Sequence, residues 1–257
     1  MTKGYRIEAA TGTHRGDRYY QQDQVCLLNH PREKGCLLAV IADGMGGRSG
    51  GRKASDQVML TTQQLFERFD PRTDEPAALL RQIVQEAHMM IKLTAASSKQ
   101  EPHSTIAAFM VRPNGESHWI HAGDSRIYHF HRGKLVFRTA DHSYAQKLRD
   151  QDGITEEQAL NHPHANALMA CLGTESEPPI DLHVICALSK GQALMACSDG
   201  LWHYFTAEEL ASTISLLSPR GACEFLIQKA RVRANGMGDN LSMVIVKYSA
   251  LNGRRKA

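Results

Sequence analysis

The sequence predicts an α+β fold in which helices are layered on a sheet that is at least partly antiparallel. Short apolar runs rich in Val, Ile and Leu, typical of buried strands, lie on both sides of two long amphipathic segments. The turn Arg132-Gly133-Lys134 joins two such runs at the spacing of a hairpin. Strict alternation of strands and helices is absent, so a parallel sheet built from βαβ units is not expected.

The predicted strands are residues 25–28, 36–42, 105–111, 118–122, 127–130, 193–197 and 241–248. Two helices are predicted between the second and third of these strands, because apolar residues recur there at helical spacing. Their apolar faces consist of Ala54, Val58, Leu65 and Phe69 in the first helix, and of Leu79, Ile83, Ala87 and Met90 in the second. Further on, the capping box Thr206-Ala-Glu-Glu209 and the pair Ser218-Pro219 each predict the start of another helix.

One domain spanning residues 1–257 is the simplest organisation for a chain with 42% hydrophobic and 22% charged residues. No Pro/Gly/Ser-rich linker, charge block or internal repeat divides it. Residues 141–173 differ from the rest, because short helical pieces alternate there with turn signals such as Asp152-Gly153 and His162-Pro163. We expect an irregular surface insert, or flap, that either contacts substrate or simply connects two strands.

Composition argues against several classes of partner. The net charge is +3 and aromatic residues make up 6% of the chain, without the basic stripe and interleaved aromatics of a nucleic-acid binder. The six cysteines contain no CxxC pair and lie mostly in apolar runs, as expected for core residues in a reducing compartment. The sequence has no signal peptide or bilayer-length apolar run. We therefore expect a cytoplasmic protein that binds neither membrane nor nucleic acid.

Aspartates with a glycine neighbour recur at the ends of predicted strands. Asp43 follows the run 37–42 and precedes Gly44, and Asp199-Gly200 ends another apolar run. Gly123-Asp124 and Gly238-Asp239 repeat the arrangement. Mg²⁺ and Mn²⁺ prefer oxygen ligands, so carboxylates at glycine-rich strand ends are suited to hard cations. A capping aspartate in a turn explains a single case, but not easily four.

Six short motifs occur in one order along the chain. They are Arg18-Tyr-Tyr-Gln-Gln-Asp23, Ala42-Asp-Gly-Met-Gly-Gly47, Ala122-Gly-Asp-Ser-Arg126, Asp141-His-Ser143, Cys197-Ser-Asp-Gly-Leu-Trp202 and Gly238-Asp-Asn240. This series resembles the type 2C, or PPM, metal-dependent serine/threonine protein phosphatases, especially bacterial members, from about Thr11 to Tyr248. The resemblance implies a four-layer αββα sandwich, with two central, mainly antiparallel sheets flanked by helix pairs.

The same resemblance implies a binuclear metal site and its chemistry. Asp43 would bridge two Mn²⁺ or Mg²⁺ ions, with the Gly44 carbonyl on one ion and Asp199 and Asp239 on the other. Asp23 would support the cluster, and Asp124 together with Asp199 matches the position of a third, weaker metal. A hydroxide bridging the two cations would attack phosphorus in line with the departing serine or threonine oxygen.

Arg18 matches the phosphate-binding arginine of the family, and its planar guanidinium can hold two phosphate oxygens. The alternative for Arg18 is a surface salt bridge. The substrates implied are phosphorylated proteins in signal transduction, and the partner would be a serine/threonine kinase or its substrates.

Two positions depart from the family pattern. Gln22 replaces a common glutamate, so we expect it to hold a metal-bound water without charge and to weaken one metal site. Met45 replaces a histidine that some members carry as a general acid, so the leaving alkoxide would take its proton from a metal-bound water. Among the histidines, pairs such as His129 and His131 lack zinc-ligand spacing and are expected on a solvated strand face, and His142 is expected to fix a local turn.

Two other functions remain open from the sequence. A catalytically silent relative could use the same fold to bind a partner, although Asp43, Asp199 and Asp239 are all retained. A phosphatase for small phosphoesters would keep the same metal ligands. Turnover of a phosphopeptide compared with that of nucleotides or sugar phosphates distinguishes the two phosphatases.

Overall fold

The computed structural model describes residues 5–97, 100–165, 167–185 and 188–250. Its strands are β1 (Tyr5–His14), β2 (Asp23–Asn29), β3 (Leu37–Met45), β4 (His103–Ser104), β5 (Ile106–Val111), β6 (Ser117–Ala122), β7 (Arg126–His131), β8 (Lys134–Arg138), β9 (Asp181–Ile185), β10 (Gln192–Cys197) and β11 (Leu241–Ala250). Its helices are α1 (Gly47–Arg68), α2 (Pro76–Ser97), α3 (Tyr144–Asp152), α4 (Glu156–Leu160), α5 (Asp199–Trp202), α6 (Ala207–Leu216) and α7 (Pro219–Ala234).

The strands form two sheets. The first has the order β1-β11-β10-β7-β8, and the second has the order β2-β3-β5-β6-β9 with β4 paired to β3. Within the described residues every strand pair is antiparallel. The mainly antiparallel sheets expected from the sequence are therefore present.

Three apolar clusters hold the layers together. Phe109, Trp119 and Tyr248 are buried between the two sheets. A second cluster joins α1 and α2 to the second sheet, and a third joins α5, α6 and α7 to the first sheet. Because each sheet buries both faces, its central strands are apolar along their whole length instead of alternating. This arrangement confirms the four-layer αββα sandwich.

Local signals set the turns and helix starts as predicted. Arg132 and Gly133 adopt φ values of 49° and 75°, as a two-residue hairpin turn between β7 and β8 requires. The Thr206 and Ser218 hydroxyls accept hydrogen bonds from the first turns of α6 and α7. None of the described helices combines the length and apolar character needed to cross a membrane.

Some elements differ from the prediction. Strands β1 and β9 were not expected, because their apolar residues do not form continuous or clearly periodic runs. Helix α3 lies within residues 141–173, where short helical pieces were expected. Met90 is 43% exposed, and Ile91 takes its place on the buried face of α2. His129 is buried instead of solvated, with its ring edge-on to Trp119 between the sheets.

Candidate active site

Loops from both sheets meet around a cleft of about 560 Å³. Its described lining consists of Arg18, Tyr19, Tyr20, Gln22, Asp43, Gly44, Met45, Gly47, Asp239 and Asn240. Asp43 lies at the end of β3 in the second sheet, whereas Asp239 precedes β11 in the first sheet. The sandwich thus brings together side chains that lie far apart in sequence.

Asp23 and Asp43 form a cross-strand pair, because the register of β2 and β3 places them opposite each other. The backbone of Asp43 is fixed by Thr105, whose hydroxyl accepts from the Asp43 N–H at 3.1 Å and whose N–H donates to the Asp43 carbonyl at 2.9 Å. Asp23 is 2% exposed and accepts a hydrogen bond from the Ser198 hydroxyl at 2.7 Å through Oδ2. Its buried Oδ1 has no partner among the described residues.

Two further aspartates complete a group that we call the aspartate cluster: Asp23, Asp43, Asp124 and Asp199. Asp199 opens α5 directly after β10, and it lies close enough for its charge to raise the pKa of Asp43, after the larger effect of burial. Asp124 follows β6, and its carbonyl accepts from the indole N–H of Trp202 at 2.9 Å. The cluster therefore joins the ends of both sheets.

Burial and mutual repulsion raise the pKa values of these carboxyl groups. Burial raises the pKa of Asp23 to about 7, and the charge of Asp199 contributes to the shift. The pKa values of Asp43 and Asp124 are held well above the usual range, first by burial and then by neighbouring aspartates. A divalent cation with oxygen ligands would relieve this repulsion. The donor set and the orphaned Asp23 oxygen thus fit the expected Mn²⁺ or Mg²⁺.

Asp239 and Arg18 lie at the mouth of the cleft and form an ion pair with each other. The side chains are 41% and 62% exposed, respectively. Asp239 is close enough for its charge to raise the pKa values of Asp43 and Asp199, after the larger effect of burial. The structure therefore brings both predicted residues to the site, with Arg18 in contact with a predicted metal ligand.

Gly44 is the penultimate residue of β3 and faces Gly51 of α1. A Cβ atom on Gly44 would come within 2.0 Å of the Gly51 carbonyl oxygen, so a side chain cannot be accommodated. Gln22 reinforces the same contact, because its amide donates to the Gly47 carbonyl at 2.7 Å. Gly44 thus allows close packing of β3 against the start of α1.

Three supporting residues had no predicted role. Ser198 orients Asp23, and Thr105 fixes Asp43. The Asn240 side chain accepts from the Gln22 N–H at 2.7 Å and donates to two carbonyls of the 15–20 segment. Ser198 and Asn240 stand beside Asp199 and Asp239 in the sequence motifs, and this adjacency is the signal that could have identified them.

A second group of charged residues lies next to the cluster, and we call it the arginine network: Arg126, Arg138, Asp141 and Glu156. Arg126 donates to both oxygens of Asp141 at 2.8 and 2.7 Å, and both side chains are 6% exposed. Glu156 of α4 accepts from Arg126 at 3.0 Å and from Arg138 at 2.7 Å. Arg126 also lies 3.4 Å from the ring centroid of Trp202. The network fastens the insert to the first sheet.

His121, His142 and Asp181 form a third polar group, and their geometry could suggest a metal site. The Gly123 N–H donates to His142 Nδ1 at 3.2 Å, so the proton of the neutral ring resides on Nε2, which faces Asp181 at 3.2 Å. These bonds occupy both ring nitrogens of His142. His121 stacks on His142 with ring centroids 4.6 Å apart and donates from Nε2 to the Ala140 carbonyl at 2.8 Å. His142 fixes the turn at Gly123, as predicted.

Comparison with known proteins gives consistent similarities. A serine/threonine phosphatase, stp, from Listeria welshimeri is 29% identical, with 86% of this chain and 88% of that protein covered. The Mycobacterium tuberculosis phosphatase PstP is 30% identical, and the match spans 82% of this chain but 40% of PstP.

Solved structures agree in fold. A structure of the M. tuberculosis serine/threonine phosphatase PstP/Ppp superposes with a TM-score of 0.82 at 27% identity, over 95% of this chain and 99% of that one. The PstP catalytic domain in complex with two manganese ions gives a TM-score of 0.78 at 26% identity, over 95% and 98% of the two chains.

The model of the family described as protein phosphatase 2C matches residues 12–231. This range includes all of the aspartate cluster and most of both sheets. The resemblance that was based on six short motifs is confirmed, and the chain belongs to the protein phosphatase 2C family.

Proposed function

We propose that this chain hydrolyses phosphoserine and phosphothreonine in proteins, using Mn²⁺ or Mg²⁺ held by the aspartate cluster. As a member of its family, the chain is a metal-dependent serine/threonine protein phosphatase. The observation that carries the proposal is the burial of several carboxylates, from both sheets, beside one cleft. Such a concentration of negative charge requires a bound cation when the carboxylates are ionised.

The residues divide by role. Asp43, the Gly44 carbonyl, Asp199 and Asp239 would hold two ions, with Asp23 in support and Asp124 with Asp199 at a third. When bound, the cations would supply Lewis acidity to phosphoryl oxygens and lower the pKa of a coordinated water. These assignments are supported by the proximity, burial and raised pKa values of the carboxyl groups.

Arg18 would bind and orient the phosphoryl group. Its guanidinium lies at the cleft mouth, where its planar donors can hold two phosphate oxygens. Of the described residues that line the cleft, none is a serine, cysteine or histidine. This lining is consistent with direct attack by water, and with a leaving alkoxide that takes its proton from water because Met45 offers none.

The cellular setting is proposed on the similarity to bacterial serine/threonine phosphatases. We place the protein in the cytoplasm of a bacterium, in signal transduction, opposite a serine/threonine kinase or acting on its substrates. We also propose that residues 1–257 form a single phosphatase domain, and that the insert at 141–173 contributes contacts to substrate.

The test is hydrolysis of a phosphothreonine peptide by the purified protein in EDTA, Mg²⁺ or Mn²⁺. We expect metal-dependent turnover that falls by about 10³-fold in Asp43→Asn and in Asp199→Asn. Asp74→Asn, in the loop between α1 and α2, is the matched control. Calorimetric Mn²⁺ titration should show weaker binding in the two cluster variants and unchanged binding in the control.

Two other outcomes of this experiment would favour the alternative functions. A folded wild-type protein with no turnover in any metal would favour the catalytically silent binding module. Faster turnover of nucleotides or sugar phosphates than of phosphopeptides would favour the small-phosphoester phosphatase.

A further inference from the structure

The segment that carries Arg18 also presents two tyrosines to solvent at the cleft. Tyr19 is 91% exposed and Tyr20 is 51% exposed. Both line the same cleft as Asp43 and Met45. Within the part of the chain that the structure describes, neither ring has a ring contact and neither hydroxyl has a hydrogen bond. The apolar faces of both rings are therefore available to a ligand.

The backbone beneath these rings is firmly anchored. The Asn240 amide donates to the Arg15 carbonyl at 2.8 Å and to the Tyr20 carbonyl at 2.9 Å. The Asp17 N–H donates to the Gly238 carbonyl at 2.8 Å, and the Gly238 N–H returns a bond to the Asp17 carboxylate at 2.8 Å. The segment is thus tied to the loop that carries Asp239. A rigid backbone with exposed side chains is the arrangement of a preorganised contact surface.

Tyrosine is well suited to such a surface. It offers a large apolar face with only two side-chain torsions to fix, so contact costs little conformational entropy. Met45 adds a flexible apolar side chain to the lining of the same cleft. Three side chains with apolar surface therefore line the same cleft as Asp43 and Arg18, the residues proposed to receive a phosphoryl group.

The occupant follows from this geometry. Successive residues of an extended chain are spaced by roughly 3.3–3.6 Å, so a peptide with its phosphoryl group at Asp43 passes neighbouring side chains along the cleft wall. We propose that Tyr19 and Tyr20 bind an apolar side chain adjacent to the phosphoserine or phosphothreonine of the substrate. This inference rests on the proposed function and adds a sequence preference to it.

The test compares two phosphothreonine peptides that differ only in having leucine or serine on both sides of the phosphothreonine. We measure kcat and KM for each with wild-type protein, the Tyr19→Ala/Tyr20→Ala variant and the Tyr19→Phe/Tyr20→Phe variant. Wild type should prefer the leucine peptide. The alanine pair should reduce this preference about tenfold, mainly through a higher KM for the leucine peptide, whereas the phenylalanine pair should retain it.

Leu216→Ala is the control, because Leu216 is 83% exposed but lies outside the lining of the cleft. An equal preference in wild type and the alanine pair would overturn the inference, and so would a wild type that does not distinguish the peptides. Because the preference is a ratio, a general loss of activity cancels from it. Wild type inactive on both peptides would instead refute the proposed function.

Discussion

The aspartate cluster and the arginine network are neighbouring groups of carboxylates with opposite electrostatic character. Trp202 touches both, because its ring packs under Arg126 and its N–H donates to the Asp124 carbonyl. In the network, Asp141 and Glu156 each face guanidinium groups. In the cluster, the carboxylates face one another, and one oxygen of Asp23 has no described partner.

This difference distinguishes carboxylates that stabilise the fold from carboxylates that are proposed to bind metal. Where acidic groups only hold the insert in place, the chain supplies the compensating cations from its own arginines. Where the acidic groups are the proposed metal ligands, compensation would come from a bound cation, and the metal-free protein bears the cost of their repulsion. The two regions should therefore respond in opposite directions to loss of a carboxylate.

The largest expected effect on stability is in the arginine network. Asp141→Asn leaves the buried Arg126 without its bidentate partner, and we expect the free energy of unfolding to fall by about 3 kcal/mol. Urea denaturation of the metal-free protein measures this change. Asp150→Asn on α3 in the same insert is the control, with an expected change of less than about 0.5 kcal/mol. A loss of less than about 1 kcal/mol in Asp141→Asn would show that the network is not structural.

This pair of regions also shows what sequence can and cannot reveal. Asp43, Asp124 and Asp199 were predictable, because each stands beside a glycine at the end of an apolar run, whereas Asp23 was identified only from the order of the family motifs. The network was not, although Arg126 and Asp141 both lie in those motifs. Its pairing depends on the angle at which the insert meets β7, and side-chain partners across a loop leave no periodic signal.

The fold was predictable to a similar degree. The central strands can be recognised in the sequence from their apolar runs, and helices α1 and α2 from the helical spacing of their apolar residues. Strand β1 cannot be recognised in this way, because its Ala, Thr and Gly residues are half exposed and form no apolar run. The strand is stabilised by its pairing with β11. Met90, three residues after Ala87, was predicted to lie on the buried face of α2, whereas the buried residue is Ile91, four residues after Ala87. Both spacings are typical of one face of a helix, so the sequence does not distinguish them.

The next prediction concerns pH and the cluster. Burial raises the pKa of Asp23 to about 7 from an ordinary value of 3.8. Its carboxyl group therefore favours the folded state at low pH, and this contribution is lost as pH rises through about 7. In EDTA, Asp23→Asn should gain about 2 kcal/mol relative to wild type between pH 5 and pH 8.

Thermal or urea unfolding at several pH values measures this difference, and the comparison with wild type removes the titration of other groups. Saturating Mn²⁺ should reverse the order at pH 8, because the ionised carboxylate then has a cation. A difference that does not vary with pH in EDTA would mean that Asp23 is not held near its neutral form.

A smaller effect is expected at Gln22, for which the structure adds a hydrogen bond to the role predicted from sequence. The Gln22 amide N–H donates to the Gly47 carbonyl, so Gln22→Glu places a carboxylate oxygen against a carbonyl oxygen beside the cluster. In EDTA we expect a loss of about 1 kcal/mol in the free energy of unfolding. The added charge should also tighten Mn²⁺ binding, measured by calorimetry.

Gln57→Glu on α1 is the control for a charge change away from the cleft. If Gln22→Glu leaves both stability and Mn²⁺ affinity unchanged, then neither the bond to Gly47 nor the charge at this position contributes.

The smallest effect is expected at the solvent-facing end of the network. Glu156 is 36% exposed, so water screens its ion pairs with Arg126 and Arg138, and Glu156→Gln should cost about 0.5–1 kcal/mol at pH 7. Burial raises the pKa of Glu156, but the bond from Arg138 and the nearby arginine charges outweigh burial and lower it overall. Its stabilising contribution is therefore lost as pH falls below the ordinary range of a glutamate, opposite in sign to Asp23.

Urea unfolding of Glu156→Gln and of the control Glu157→Gln, an exposed neighbour on α4, at pH 7 and pH 4 measures this contribution. The difference between the two variants should shrink in acid. If it grows instead, or if the two variants do not differ at pH 7, then Glu156 does not hold the insert by compensated charge and the contrast between the two regions fails at this residue.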